Sequence, residues 1–296
     1  MLSVLIPVYN YQITDLIKDL CKQIEENLID AEIIIVDDAS TRFIEENCKL
    51  RDLEKVSYEK LGNNIGRSAI RNYLASKAQY DYLLFIDCDA KVYNPNFIKN
   101  YVQTINKNKE VVCGGLEYEH TAPKEHKLYF RWFYGINREF RTVHIRIENP
   151  YKSFTSFNFL IKKSVFHAIK FNEKLTTYGH EDTLLGIELK KQNINISHIY
   201  NPLLHDGLEE TDIFIHKTEQ SVKNLKYLLE NYTDKEAFVN SIKLIKYVRI
   251  INKMRLAWLL KLYYKAFNRI ILRNLKSQHP SLKLFDLYKL CYYFSI

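Results

Sequence analysis

Tyr82-Leu83-Leu84-Phe85-Ile86-Asp87-Cys88-Asp89 is the stretch on which the fold turns. Five apolar residues in a row, just after charged Asp81, predict a buried strand. Two carboxylates one residue apart leave that strand, and both are costly to desolvate without a partner. A divalent cation is the natural partner, because Mg²⁺ and Mn²⁺ prefer oxygen ligands and bind between one or two carboxylates and a phosphate. Ligands in open α/β sheets gather where strands end. Residues 87–89 therefore point to a metal–diphosphate site on an α/β sheet.

The segments on either side alternate between strand and helix. Leu2–Val8 and Glu32–Val36 are short apolar strands, and Val56-Ser57-Tyr58 suggests a third. Residues 12–27 carry a helical apolar stripe through Ile13, Leu16, Ile17, Leu20 and Ile24. A short helix is expected after Ser40-Thr41. Asn63-Asn64-Ile65-Gly66 is a turn, followed by a helix over Arg67–Lys77 and another near Asn96–Asn106. Val111-Val112-Cys113 is a further apolar run. This order predicts a parallel-dominated sheet. Residues 119–150 break the rhythm with aromatic and basic residues, among them Tyr129, Arg131, Trp132 and Arg138, and are expected to be an insertion or mobile loop. A strand at Phe157–Ile161, a helix at Lys163–Ile169, a helix from near His180 and a strand over Ile194–Tyr200 follow. Beyond Asn201-Pro202 the chain is expected to be wholly helical.

At 296 residues and 47% apolar, the chain can build one large domain, or a domain with an appendage. Its five cysteines are scattered with no Cys-x-x-Cys, as in a reduced, cytoplasmic protein. No basic n-region precedes Leu2, so no signal peptide is expected. No stretch approaches the roughly 20 apolar residues of a membrane span. The formal net charge of +8 is uneven. Residues 241–296 hold 12 Lys/Arg against one acid, Asp286, whereas residues 1–240 hold 31 Lys/Arg against 34 Asp/Glu. From Lys246 onward, positions 249, 253, 257, 261, 265, 269, 273 and 276 are all Lys or Arg except Ala257. Each step of four drifts about 40° on a helix, so the stripe winds and is expected to cross a helix break. A solvated face of packed helices and an anionic membrane surface both fit it. Nucleic acid is not expected as a partner, since no nucleic-acid motif accompanies the charge.

Asp37-Asp38 sits at a second strand exit and reads either as a cap for the next helix or as a group recognising a base or ribose. Arg71 lies one turn inside the helix after Gly66, either as a surface residue or pointing back at a phosphate or base. Gly179-His180-Glu181-Asp182 opens a helix. Acids there complement the helix dipole, or supply the carboxylate that general-base chemistry needs. His205, in the loop 202–207, is either structural or a metal ligand.

Taken together these clusters resemble family 2 glycosyltransferases, the inverting group with the GT-A fold. The matching motifs are Ser3-Val4-Leu5-Ile6-Pro7-Val8-Tyr9-Asn10, Ile35-Val36-Asp37-Asp38-Ala39-Ser40, Asn64-Ile65-Gly66 with Ala69-Ile70-Arg71-Asn72, Asp87-x-Asp89 and Gly179-x-Glu181-Asp182. They cover about residues 2–207. Two departures are Ala39 where the family has Gly, and Tyr178 where it has Trp. The resemblance implies a Rossmann-like mixed sheet flanked by helices over residues 1–210, with an insertion at about 119–152, and an all-helical basic region over 211–296. It implies that Pro7, Tyr9 and Asp38 line a nucleobase pocket with Arg71 nearby. Asp87 would approach the ribose, and Asn158 is a candidate contact for the donor sugar. Asp89 would hold Mn²⁺ or Mg²⁺ on the diphosphate, with Asp87 alongside and His205 completing the metal shell. Asp182 would be the catalytic base and Glu181 would orient the acceptor hydroxyl. The donor implied is a nucleotide-diphosphate sugar, UDP foremost. The acceptor implied is a glycan or a lipid-linked sugar.

Richness in Ile, Lys, Asn and Tyr fits an AT-rich bacterial genome, hence surface polysaccharide assembly, in the cytoplasm or on the inner face of the cell membrane. A relative that binds glycans or scaffolds without turnover is the alternative. A phosphorelay receiver would be far shorter. A nucleotidyltransferase would need a glycine-rich loop after the first strand, and a dinucleotide enzyme its G-x-G-x-x-G. The chain has neither.

Overall fold

The computed structural model describes residues 1–232, 236, 238, 239 and 242–296. Its main sheet is built on β1 (Leu2–Val8), β2 (Ala31–Asp37), β3 (Val56–Lys60) and β4 (Tyr82–Ile86), which run parallel in the order β3-β2-β1-β4. Between them lie α1 (Thr14–Glu26), α2 (Ile44–Cys48) and α3 (Arg67–Lys77). The chain then makes β5 (Ala90–Lys91), α4 (Phe97–Asn106), β6 (Val111–Cys113) and β7 (Leu116–Glu117). After α5 (His126–Tyr134) and α6 (Val143–Glu148) come β8 (Asn158–Lys162), α7 (Lys163–Ile169), α8 (Glu181–Lys191), β9 (Ile196–His198) and β10 (Leu203–His205). β8 inserts antiparallel between β4 and β6, and β9 closes the edge parallel to β6. The sheet is therefore mixed.

Side-chain alternation along each strand divides the core into two layers. Val4, Ile6, Leu84 and Ile86 face the layer of α1 and α4, with Leu16, Leu20, Phe97 and Tyr101. Leu5, Leu83 and Phe85 face the layer of α3, α7 and α8, with Ile70, Leu74, Phe166 and Leu189. Phe85 stacks on Phe159 there, with ring centroids 4.9 Å apart. All five residues of β4 are buried, as expected for a strand covered on both faces.

A small second sheet, β5-β10-β7, places His205 opposite Ala90, one residue from Asp89. β10 corrects the expectation that the chain is wholly helical after Pro202. Residues 119–150 are likewise not a loop, since they contain α5, a π-helical turn at Gly135–Glu139 and α6.

Two compact units divide the chain. One comprises Met1–Glu119, Phe140–Thr176 and Glu181–Gly207, and carries both sheets. The other comprises His120–Glu139, Thr177–His180 and Leu208–Ile296. The second unit is built from α5, α9 (Thr211–Asn231) and the helices Lys243–Lys253, Ala257–Leu275 and Leu282–Ser295. Its core is Phe130, Phe214, Ile271, Leu275, Phe285 and Tyr288. The basic stripe breaks at Met254–Leu256, between two of these helices.

Candidate active site

Strand ends β1, β2 and β4 lie side by side because their registers align, with Val8 opposite Asp37 and Leu5 opposite Phe85. The acids that follow these strands therefore emerge at one sheet edge. Asp87 and Asp89 are half-buried in the loop after β4. Arg71, 2% exposed, reaches from α3 and donates from Nη2 to Asp87 Oδ1 at 2.5 Å. Its Nη1 donates to the Arg67 carbonyl, and the guanidinium stacks over the Phe171 ring. A planar donor clamped on three sides fixes the carboxylate it grips.

Asp89 meets His205. The Nε2 of His205 stands 3.6 Å from Asp89 Oδ2. The imidazole is sandwiched between Tyr118, with centroids 5.1 Å apart, and Phe157, at 5.5 Å, both nearly parallel to it. The Asp206 amide donates to the Asp89 carbonyl. Gly207 permits this approach, since a Cβ there would lie 2.5 Å from Asp89 Cβ. An oxygen and an imidazole nitrogen on a rigid support suit Mn²⁺ or Mg²⁺ with a diphosphate and water completing the shell. Among the described residues no three His, Cys, Asp or Glu side chains are grouped to hold an ion by themselves. The donor set thus fits a cation shared with a ligand.

At the neighbouring strand end the two acids of Asp37-Asp38 have different partners. Asp37, wholly buried, accepts from the Ser40 amide at 2.6 Å and from the Tyr58 hydroxyl at 2.8 Å. Asp38 accepts from the Ile65 and Gly66 amides at 2.7 and 3.0 Å, tying β2 to the turn before α3. Burial pushes the Asp38 carboxyl up, and those two amides pull it back. Pro7 is half-buried, and Tyr9 is exposed beside these acids. Asn158 stands apart. It is fully buried, and its side chain bonds the Tyr101 hydroxyl and the carbonyls of Gly115 and Asn201. Its place is inside the wall that carries residues 114–115, not on the surface of that wall.

Asp182 lies in the first turn of α8 and takes the Thr183 amide at 2.6 Å. Burial, reinforced by the neighbouring Glu181 charge, raises its carboxyl from the usual carboxylate range to about 7, while the Arg71 charge draws it down. Arg71 thus acts on Asp87 by contact and on Asp182 through its field. Glu181 is buried, and Arg67 Nη1 from α3 lies 3.5 Å from its Oε1. The approach to α8 is strained. Gly179 and His180 both have positive φ, +104° and +71°. A residue that sequence reasoning missed secures this turn within its own unit. Asn224 of α9 donates to the carbonyls of Thr177, Tyr178 and Gly179 and accepts from the Thr177 hydroxyl. Nothing local marks Asn224, since its partners are more than forty residues away. The rings around His205 are equally silent in sequence, though Phe157 lies next to a residue already singled out.

A doubly flanked mixed sheet with acids converging at its strand ends is the GT-A architecture of nucleotide-sugar transferases. The chain belongs to glycosyl transferase family 2, whose family model matches residues 3–170. Chondroitin synthase of Escherichia coli is 25% identical over 224 residues, which is 64% of this chain and 32% of that protein. The chain therefore spans about a third of the curated relative's length. Among solved structures, Staphylococcus aureus TarS 1–349 in complex with UDP-GlcNAc matches with TM-score 0.52 and 19% identity, over 98% of this chain and 90% of that one. The Pyrobaculum calidifontis mannosyltransferase PcManGT, in complex with GDP-Man and Mn²⁺, matches with TM-score 0.57 and 13% identity, over 99% and 84%. At these identities the likeness is one of fold.

Proposed function

We propose that the chain is an inverting glycosyltransferase. It moves a hexosyl or N-acetylhexosaminyl group from a UDP-sugar to a hydroxyl of a glycan or lipid-linked acceptor, in surface polysaccharide synthesis. The observation that carries this reading is the set of acids past the end of β4, Asp87 gripped by Arg71 and Asp89 beside His205, with Asp182 in the field of the same Arg71 at the start of α8, where burial pushes its carboxyl up to about 7. A base is most effective when its pKa lies near the working pH. In the proposed step the acceptor oxygen forms a bond to the anomeric carbon as the bond to the diphosphate oxygen breaks. The acceptor proton passes to Asp182, and configuration inverts because there is one displacement. Glu181, held by Arg67, orients the acceptor hydroxyl. Asp87, gripped by Arg71, faces the ribose. Pro7, Tyr9 and Asp38 frame the base. Asp89 and His205 would hold a divalent cation, which offsets charge developing on the leaving diphosphate. Asn158 supports the loop 114–115 against the donor sugar. The proposed location is the cytoplasm, at the inner face of the cell membrane.

The TarS structure in complex with UDP-GlcNAc supports UDP as the nucleotide. Calorimetric titration of UDP, GDP, dTDP and CMP, each with Mn²⁺ and with EDTA, tests the donor site. UDP binding that needs Mn²⁺ is the expected result, followed by UDP release from UDP-sugars. Failure of every nucleotide to bind in Mn²⁺ would refute the proposal.

A further inference from the structure

The helix Ala257–Leu275 leaves most of its surface uncovered. Ile271 and Leu275 enter the core of the second unit, but Trp258, Leu262 and Ile270 are 64, 56 and 59% exposed. At about 100° per residue, Trp258, Leu259, Leu262, Ala266 and Ile270 fall in one sector of about 120°. Lys261, Lys265, Arg269 and Arg273 form a row that overlaps this sector and extends along one side of it. All four are exposed, and they form no ion pair among the described residues, whereas Arg249 and Lys276 at the ends of the surface pair with Glu236 and Asp212. Met254, exposed at the break before this helix, extends the apolar run. No acid occurs between residues 242 and 285.

We infer that this face lies on an anionic lipid bilayer, with Trp258, Leu262 and Ile270 in the headgroup–acyl boundary and the cation row on the headgroups. An apolar band bordered by Lys and Arg, with an aromatic at its end, is the arrangement that binds in an interface plane. Charge decides among occupants. A second copy would bring the same cations face to face, and among the described residues the acids at the ends of this surface, Glu236 and Asp212, are already paired with Arg249 and Lys276. A polyanion such as nucleic acid would meet the cations but leave large aliphatic side chains in water. Only an anionic bilayer takes both halves of the surface. The helix lies on the membrane rather than crossing it, since no described helix is long and apolar enough to span one. The inference does not depend on transferase activity.

The protein has two tryptophans, Trp132 and Trp258, so Trp132→Phe leaves a single reporter. The test is sedimentation and Trp258 fluorescence with phosphatidylcholine vesicles, with and without phosphatidylglycerol. Expected results are binding only with phosphatidylglycerol, a blue shift of Trp258, and its quenching by lipids brominated on the upper acyl chain. Each cation near such a surface is worth about fivefold in partitioning, so K261Q/K265Q/R269Q should lower binding about a hundredfold. Wild-type protein that stays in the supernatant overturns the inference. So does binding that leaves Trp258 unquenched, or a dimer in analytical ultracentrifugation that W258S abolishes. Wild-type UDP titration is a separate readout, so loss of either proposal leaves the other standing.

Discussion

Glu181→Gln should lower the pKa of Asp182 without touching its burial. In the folded protein two causes raise the Asp182 carboxyl to about 7, burial first and the Glu181 charge second. Taking about 6 Å as the order of magnitude for carboxylates on adjacent residues, an effective dielectric constant of about 20 gives a repulsion of about 2.8 kcal/mol. That repulsion equals about two pH units. Arg67, 3.5 Å from Glu181, offsets part of the charge, and solvent at the partly exposed edge of Asp182 screens more. About one pH unit remains, so the midpoint should fall from about 7 to about 6 and stay above the normal range because burial persists. The assay is a ¹³C NMR titration of labelled aspartate carboxyl carbons, with Asp182→Asn identifying the resonance. If Asp182 is the base, the acid limb of kcat for donor turnover should move down by the same amount, because activity needs the deprotonated form. A midpoint unchanged at 7 would show that Glu181 does not act on Asp182. A wild-type midpoint near 4 would remove the premise altogether.

Asp182→Asn should reduce turnover at least ~10²-fold with little change in UDP affinity; near-wild-type rates would exclude Asp182 as the base. The same substitution should stabilise the fold at pH 8, where the native protein holds this carboxylate charged against its raised pKa. A raised pKa contributes stability below the unfolded value that is lost as pH rises through 7, so the advantage should vanish near pH 4. Discounted for partial exposure it is about 1–2 kcal/mol, or several degrees in Tm, and equal melting of the two proteins at pH 8 would contradict it. Asp89→Ala should abolish Mn²⁺-dependent UDP binding in calorimetry; unchanged affinity in Mn²⁺ would remove Asp89 from the metal site. Gly179→Ala places a side chain at φ +104° with its Cβ 2.5 Å from Ser221 Oγ. It should cost about 1–3 kcal/mol in urea unfolding, and a loss below half a kcal/mol would show that the turn relaxes freely.

The parts of the fold that were legible are those whose signal is local. β4 is five apolar residues between acids, and α3 runs from a glycine turn to Lys77, so both could be read without knowing what they touch. α5 could not. Its nine residues, His126 to Tyr134, make only about two and a half turns, too few for a helical stripe to stand out from an aromatic run. β10 is three residues long, too short for alternation to show, and is defined only by pairing with β5 and β7. The site divides the same way. Acids at strand exits announce themselves because desolvating them is costly wherever they occur. The contacts that orient them do not: Arg71 stands out after Gly66 but its partner Asp87 is sixteen residues away, and the rings holding His205 come from positions 118 and 157. Asn158 is a candidate donor-sugar contact by sequence, yet its amide bonds the carbonyls of Gly115 and Asn201 inside the wall.

Acidic side chains outnumber basic ones at the sheet edge. Asp38, Asp87, Asp89, Glu181, Asp182 and Asp206 stand there against two guanidiniums, Arg67 and Arg71, and both of those are already turned toward acids of the site. A nucleoside diphosphate brings further negative charge into this region. Among the described residues no lysine or arginine forms an ion pair with Asp89, whose carboxylate meets His205 at 3.6 Å. Like charges at such distances repel by several kcal/mol unless a cation intervenes. A donor that bound here without a divalent ion would have to overcome that repulsion through base and ribose contacts alone. The proposed enzyme should therefore lose UDP affinity in EDTA much more than affinity for uridine, which lacks the phosphates. Equal loss for both would mean that the ion shapes the base pocket instead of balancing the diphosphate, and Asp89 and His205 would then need a different role.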